Sequence, residues 1–194
     1  MLRDRVRPPV RILFVGINPG VRSAAIGHHF AGYSNRFWKL LYESGLVPTR
    51  IASEDDGRLP EWGFGITNLI PRATPGIDSL RPAEYASGLR TLRRKVRRWK
   101  PKVVALVGVT LYRSVFGLGA SVPVTPGLQK ERFEGAGVFV LPNPSGRNAN
   151  FTYAQMLRAY RMLARYGPGK HRRAAGSRSS SSRTPLSALA KSTD

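Results

Sequence analysis

The chain has 194 residues, of which 41% are hydrophobic, and this size suits one domain with a substantial core. No apolar run approaches the roughly 18 residues that a membrane span needs. No apolar segment follows the basic start of the chain, so we expect neither a membrane anchor nor a signal peptide. The absence of cysteine excludes disulfides, thiolate zinc sites and iron–sulfur clusters.

The chain is strongly basic, with a formal net charge of +21 from 32 Lys and Arg against 11 Asp and Glu. Residues 170–194 hold six of the basic side chains and one Asp, so residues 1–169 keep 26 basic and 10 acidic side chains. This charge favours a polyanionic partner, most commonly nucleic acid. The Ser- and Arg-rich segment 169–194 has little to bury, and we expect it to be a disordered tail after a domain at 1–168. The tail either strengthens DNA binding through its charge or is passive.

Short apolar runs alternate with helical patterns along the rest of the chain. In chain order they predict a strand at Arg11–Gly16, a helix at Asn35–Ser44 with Ser34 as N-cap, a strand at Gly63–Leu69, a helix at Pro82–Lys100, a strand at Lys102–Gly108, a helix at Thr110–Phe116, a strand at Gly137–Pro142 and a helix at Thr152–Arg165 with Thr152 as N-cap. Three of these strands are almost continuously apolar, as in strands covered on both faces. The order predicts the class α/β, as a three-layer α/β/α sandwich with a central, mostly parallel four-stranded sheet.

The helix predicted at Pro82–Lys100 is amphipathic. Its core-facing stripe comprises Tyr85, Leu89, Leu92, Val96 and Trp99. Its opposite face is basic and holds Arg90, Arg94, Arg97 and Lys100. That face is either a solvated surface or a weak contact for phosphates.

The predicted strands end in loops that carry Asn, Gly, Pro and Ser. Ligands bind beyond the carboxyl ends of the strands in an open α/β sheet. Three such ends carry Asn18, Asn68 and Asn143, and each amide offers both a donor and an acceptor, which suits a nucleobase. Each Asn taken alone is typical of a turn or cap. Gly16 and Gly20, on either side of Asn18, allow tight turns and close approach of a ligand.

Other chemistries fit these loops poorly. The run GINPG lacks the GxGxxG spacing and the GKS or GKT ending of phosphate loops. His28 and His29 are adjacent and have no third ligand at useful spacing, so we expect no metal site. We also expect no cofactor.

Four motifs in order resemble the mismatch-specific uracil-DNA glycosylases and thymine-DNA glycosylases, one family of the uracil-DNA glycosylase superfamily. They are GINPGVRSAAIGHHFAGYSNRFWKLLYESGL, GFGITNLIPRATPG, RRWKPKVVALVG and LPNPSGRNANF. The resemblance covers roughly residues 10–165. It implies an α/β/α sandwich and hydrolysis of the bond between a base and deoxyribose, in a nucleotide flipped out of the duplex.

The resemblance assigns roles to several residues of the first two motifs. Asn18 matches the catalytic asparagine that positions the attacking water. Phe30 matches the aromatic on which the extruded base stacks, although a phenylalanine alone is more often core. The predicted base pocket comprises Gly16, Ile17, Pro19, Gly20, Ser23, His29, Phe30 and Asn68. Within it, Ser23 and His29 match wall positions, and Asn68 matches a base contact that is Asn in the thymine-active branch and Lys in a bacterial branch.

The last of the four motifs, LPNPSGRNANF, resembles at Asn143–Asn148 the loop that penetrates DNA. Its predicted DNA-binding residues are Asn143, Ser145, Gly146, Arg147 and Asn148. Arg147 matches the arginine that fills the hole left by the extruded base in the thymine-active branch, where the bacterial uracil branch usually has Leu. As an alternative, Arg147 contacts phosphate. In that case Ser145 and Gly146 bind backbone phosphate through amides and hydroxyl.

The resemblance also implies a mechanism and a set of partners. The motif loops supply no Asp or Glu, so we expect Asn18 to orient water rather than to accept its proton. Backbone amides of the Ile17 and Phe30 loops then stabilise the departing uracil anion. Good leaving groups such as uracil, halogenated uracil and ethenocytosine are favoured above thymine. We expect a monofunctional, monomeric, cytoplasmic, nucleoid-associated bacterial enzyme acting on double-stranded DNA with uracil or mismatched bases, without membrane contact.

Two alternatives stay open at this point. The basic body also suits a non-catalytic DNA-binding protein, although generic binding needs no uncharged pocket of Asn, Gly and Pro. A glycosylase of the same fold acting on a purine such as hypoxanthine is the second alternative. The sequence does not rank the candidate bases or give the preference for the opposite base.

Overall fold

The computed structural model describes residues 2–167. Its five strands are β1 (Ile12–Gly16), β2 (Phe64–Asn68), β3 (Val103–Val107), β4 (Gly127–Phe133) and β5 (Ala136–Leu141). Its five α-helices are α1 (Val21–Ile26), α2 (Phe37–Glu43), α3 (Pro82–Trp99), α4 (Val109–Phe116) and α5 (Tyr153–Leu163). Three 3₁₀ segments complete the described chain, at Ser53–Trp62, Ile77–Ser79 and Ala164–Tyr166.

The strands form one sheet in the order β2-β1-β3-β5-β4. The four strands from β2 to β5 in this order are parallel, and β4 pairs antiparallel with β5 at the edge. The register places Gly16 beside Asn68, so the GINPG segment and Asn68 leave the sheet side by side. The carboxyl ends of β1, β2, β3 and β5 therefore meet along one edge of the sheet.

Side chains alternate between two cores on the two faces of the sheet. Phe14 of β1 and Phe139 of β5 pack with α2 and α5 on one face. Leu13 of β1 and Val138 of β5 pack with α3 and α4 on the other. Burial of continuously apolar strands on both faces drives this layering. The predicted α/β/α sandwich with a mostly parallel sheet is confirmed.

The predicted count of four strands is wrong, because β4 adds a fifth. Its sequence, GLQKERF, is mostly exposed and polar, as suits an edge strand that resists pairing with other chains. It joins β5 through a two-residue turn, in which Glu134 and Gly135 have φ values of 50° and 85°. Positive φ at both positions is typical of the hairpin turn that matches strand twist.

The four predicted helices are all present, with shifted ends. Thr152 caps α5 as predicted, since its hydroxyl accepts a hydrogen bond from the Gln155 backbone N–H at 3.3 Å. The prediction of Ser34 as N-cap of α2 is wrong. The helix begins at Phe37, two residues after the predicted start. The Oδ1 of Asn35, rather than the hydroxyl of Ser34, accepts a hydrogen bond at the helix start, from the backbone N–H of Phe37 at 3.0 Å. The predicted tail at 169–194 lies outside the described residues, and within 2–167 no helix is long and apolar enough to cross a membrane.

Candidate active site

A cleft of about 670 Å³ lies at the carboxyl ends of the parallel strands. Most of the residues singled out from the sequence line it, namely Gly16, Ile17, Asn18, Pro19, Gly20, Ser23, Phe30, Asn68, Asn143, Ser145, Arg147 and Asn148. His29 and Gly146 do not line it. The fold therefore brings the two motif loops to one opening from positions that are more than 120 residues apart in the chain.

The amide of Asn18 is held in one orientation. Its Nδ2 donates to Thr74 Oγ1 at 2.7 Å and lies 3.1 Å from the carbonyl oxygens of Pro19 and Arg72. The Thr74 hydroxyl donates to the carbonyl of Gly76 at 2.6 Å, so it can only accept from Asn18. Both N–H groups of Nδ2 are therefore engaged, and Oδ1 is the atom of the amide that remains to accept a hydrogen bond in the cleft.

A narrow space lies between Gly16, Phe30 and Asn68. A Cβ at Gly16 would lie 2.7 Å from Asn68 Oδ1 and 3.3 Å from the Phe30 ring, so only glycine leaves this space open. Phe30 stacks on Phe37 with 4.1 Å between ring centroids, while its ring also lines the cleft. An aromatic ring beside a primary amide suits a planar ligand with polar edges.

The segment Asn143–Asn148 of the last motif forms a self-bonded loop on the rim of the cleft. Asn143 Oδ1 accepts from the Ser145 backbone N–H at 3.1 Å, and the Asn148 amide donates to the Asn143 carbonyl at 2.7 Å. This bonding leaves Arg147 exposed at the tip. Its Nη1 donates to the carbonyl of Pro75 at 3.3 Å, so the side chain crosses the cleft.

Gly146 packs against Ser34 and does not line the cleft. A Cβ there would lie 2.5 Å from Ser34 Cβ, so the loop rests directly on the segment before α2. The backbone N–H of Arg36 also donates to the carbonyl of Pro144 at 2.9 Å. The two motif segments therefore form one continuous rim.

Comparison with protein families agrees with this geometry. A sequence model of the Uracil DNA glycosylase superfamily matches residues 4–164. The chain belongs to this superfamily. Its members are DNA glycosylases, hydrolases of N-glycosyl bonds, and DNA is their substrate. Membership in the uracil-DNA glycosylase superfamily thus makes the cleft at the strand ends the candidate active site.

In this uracil-DNA glycosylase superfamily chain, His29 lies beneath the cleft rather than in its wall. Its side chain is 2% exposed, and its Nδ1 lies 3.1 Å from Asp56 Oδ2. Burial alone would raise the pKa of Asp56. Hydrogen bonds from His29 and His28 and the charge of Arg5 outweigh it and lower that pKa to about 2. Within residues 2–167, His29 Nε2 finds no hydrogen-bond partner.

The loop that carries Phe30 is clamped from several sides. The backbone of Phe30 has a φ of 51°, which is costly for a residue with a side chain. Before it, the carbonyl of His29 accepts from the indole of Trp38 at 3.1 Å. After it, the backbone N–H of Ala31 donates to Ser23 Oγ at 3.0 Å. Ser23, predicted as a pocket wall, thus lines the cleft and also supports the strained loop.

Sequence reasoning did not single out two residues at the cleft, Thr74 and Asp78. Thr74 is 3% exposed and orients Asn18. Asp78 is the one carboxylate among the cleft-lining residues of the described chain, and it is exposed. Both belong to the segment after β2, where no local pattern distinguishes either residue from an ordinary loop residue. Among residues 2–167, no cluster of three or more His, Asp or Glu is arranged to hold a metal.

Proposed function

We propose that the chain is a monofunctional DNA glycosylase of the mismatch-specific uracil and thymine branch. It hydrolyses the N-glycosyl bond of uracil in a nucleotide flipped out of double-stranded DNA and leaves an abasic site. Ethenocytosine and mismatched thymine are further substrates, with thymine the poorest. The observation that carries the proposal is the fixed amide of Asn18, which lines the cleft with one free acceptor oxygen.

Water is the nucleophile in this reaction. Asn18 Oδ1 accepts a hydrogen bond from the water and holds its oxygen toward C1′ of the sugar, and such positioning can lower a barrier substantially. The water oxygen bonds to C1′, the electron pair of the C1′–N bond leaves with the base, and the proton of the water passes to solvent. An amide does not take up that proton, so the rate depends on how well the base leaves.

The other wall of the cleft supports recognition of the base. Phe30 offers a ring for stacking, and Asn68 offers an amide for the polar edge of a pyrimidine. Backbone amides of the loops that carry Ile17 and Phe30 are available to stabilise negative charge on the departing base. Asn68 and Arg147 match the thymine-active branch, which favours mismatched thymine as a slow substrate.

The cleft also supports the monofunctional assignment. A bifunctional glycosylase needs an amine nucleophile that forms a Schiff base with the sugar. Among the side chains of residues 2–167 that line the cleft there is no lysine, and the one basic group is the Arg147 guanidinium. Guanidinium stays protonated and is a poor nucleophile.

The test is incubation with a labelled duplex that contains one uracil opposite guanine, followed by strand analysis with and without alkali. A duplex with hypoxanthine is run alongside. We expect breaks at uracil that require alkali. Binding without breaks would favour a non-catalytic DNA-binding protein, breaks at hypoxanthine alone would favour a purine enzyme, and breaks without alkali would contradict the monofunctional assignment. Uracil, ethenocytosine and thymine, each opposite guanine and adenine, then give the substrate ranking.

A further inference from the structure

Tyr33 is an unusual surface residue. It is 90% exposed, whereas the next most exposed large hydrophobic side chain within residues 2–167, Val21, is 57% exposed. The ring is nevertheless held in place. The Arg22 guanidinium lies 3.9 Å from the ring centroid, and its Nη1 donates to the Tyr33 hydroxyl at 2.7 Å. Arg22 is in turn fixed, because its Nε donates to the carbonyl of Ala31 at 2.8 Å.

The position of Tyr33 ties it to the cleft. Its neighbours Gly32 and Ser34 both line the opening. Ser34 is also the residue on which Gly146 packs, one position before Arg147. The Tyr33 ring therefore stands on the same rim as the loop predicted to enter DNA.

We propose that Tyr33, backed by Arg22, stacks on a nucleobase next to the extruded nucleotide. The inference rests on the proposed function, because extrusion of one base uncovers a face of its neighbour. One face of the ring is covered by Arg22, so the other is free for a planar partner. An aromatic ring paired with a guanidinium is a common platform for bases in unstacked strands.

The surroundings favour a nucleobase over a protein partner. Docking surfaces for proteins present contiguous apolar patches of several hundred Å². Here the chain neighbours are Gly32 and Ser34, the nearest charge is the Arg22 guanidinium, and Val21 before Arg22 adds a single exposed apolar side chain rather than a patch. This set offers one ring and one positive charge, which fits a base and its phosphate.

The test uses a duplex with a tetrahydrofuran abasic analogue and 2-aminopurine placed on its 5′ or 3′ side. Tyr33→Ala should weaken binding roughly tenfold and abolish the change in 2-aminopurine fluorescence on one side. Tyr33→Phe should bind within about twofold of the wild type, because it keeps the ring. The matched control is Tyr42→Ala, which removes a 37% exposed tyrosine with Arg50 at 5.6 Å, on a helix away from the cleft.

Wild-type affinity and fluorescence in Tyr33→Ala, on both sides of the lesion, would overturn the inference. An equal loss of affinity on a fully paired duplex would also overturn it, since stacking beside an extruded nucleotide needs the lesion. Uracil excision by the wild type is measured separately. If the wild type excises uracil but Tyr33→Ala binds the lesion duplex as the wild type does, the stacking role is contradicted and the proposed function stands. If Tyr33 stacks beside the lesion but the wild type excises no base, the proposed function is contradicted and the stacking role stands.

Discussion

His29 presents both its backbone N–H and its Nδ1 to the same carboxylate oxygen of Asp56, at 3.0 and 3.1 Å. The carboxylate can only accept, so Nδ1 carries the proton in this pair. Phe30 follows directly with its strained φ of 51°. A buried acid that lies outside the cleft therefore helps to set the position of the ring that lines it.

Asp56→Asn should destabilise the fold in a pH-dependent manner. The pKa of Asp56 is lowered from 3.8 to about 2, so the ionised side chain stabilises the folded state above pH 3.8. This contribution, about 2 kcal/mol at neutral pH, is lost as the pH falls toward 2. Urea unfolding of both proteins between pH 7 and pH 3 measures it. The stability gap should shrink by roughly half at pH 3, and a constant gap would contradict the role of the charge.

The two glycines of GINPG should differ sharply in their tolerance of a methyl group. In Gly16→Ala the new Cβ displaces the Asn68 amide or the Phe30 ring, and a misplacement near 1 Å can cost about two decades of rate. Gly20→Ala is the matched control, because nothing lies within 4 Å of its Cβ and its φ is −70°. Single-turnover excision of uracil compares the variants. Equal rates would show that the space beside Gly16 is not the base pocket.

Thr74 should act on the reaction only through Asn18. Asn18→Ala should slow single-turnover excision by about two decades, near 3 kcal/mol, while DNA binding persists. Thr74→Val removes the acceptor that fixes Nδ2 but keeps the shape of the side chain, and we expect a loss of roughly tenfold in rate with unchanged affinity. Thr74→Ser restores the hydroxyl and should recover most of the rate. Failure of the serine variant to recover would assign Thr74 a purely structural role.

Asp78 provides the sharpest test of a mechanism without a carboxylate base. Asp78→Asn should leave uracil excision within about twofold of the wild type and should tighten DNA binding at low salt, because an exposed rim carboxylate repels phosphates. A bell-shaped or sigmoidal pH profile that disappears in the variant, with a loss of two decades in rate, would instead make Asp78 the general base. Single-turnover excision of uracil by both proteins between pH 5 and pH 9 distinguishes a mechanism without a carboxylate base from one in which Asp78 is the base.

Apolar periodicity in the sequence was enough to predict four of the five strands, but not the edge strand. The strand β4 was missed because Lys130, Glu131 and Arg132 break any apolar run, although main-chain pairing with β5 still forms. The strand-end rule predicted correctly that Asn18, Asn68 and Asn143 meet at one edge of the sheet, because all three line the cleft there.

The residues that support the site could not be predicted from apolar periodicity or from the strand-end rule. Asp56 lies in the polar run SEDDGR, where a carboxylate is ordinarily expected to be exposed, yet it is 1% exposed. Thr74 reaches Asn18 only because the segment after β2 folds back toward the GINPG loop. The backbone N–H of Thr74 donates there to the carbonyl of Pro19 at 3.2 Å. Ser34 resembled a helix cap in sequence but supports Gly146 instead. Each of these contacts depends on tertiary structure rather than on local pattern.

Arg147 should matter more in paired DNA than in single strands. In the free protein its Nη1 donates to the carbonyl of Pro75, so the side chain must leave this single neutral contact to enter the duplex. Filling the hole left by an extruded base is useful only where that base was stacked and paired. Arg147→Ala should therefore slow single-turnover excision by roughly tenfold in duplex DNA and by about twofold in single-stranded DNA.

Arg90→Ala is the charge-matched control for this comparison. It removes one positive charge from the exposed face of α3, away from the cleft, and should alter both substrates only through a small change in affinity. Equal slowing of duplex and single-strand excision by Arg147→Ala would favour a phosphate contact instead of a wedge. A slowing of duplex excision by Arg147→Ala that depends steeply on salt concentration would also favour a phosphate contact. The reason is that a phosphate contact releases a counterion, whereas insertion into the base stack releases less.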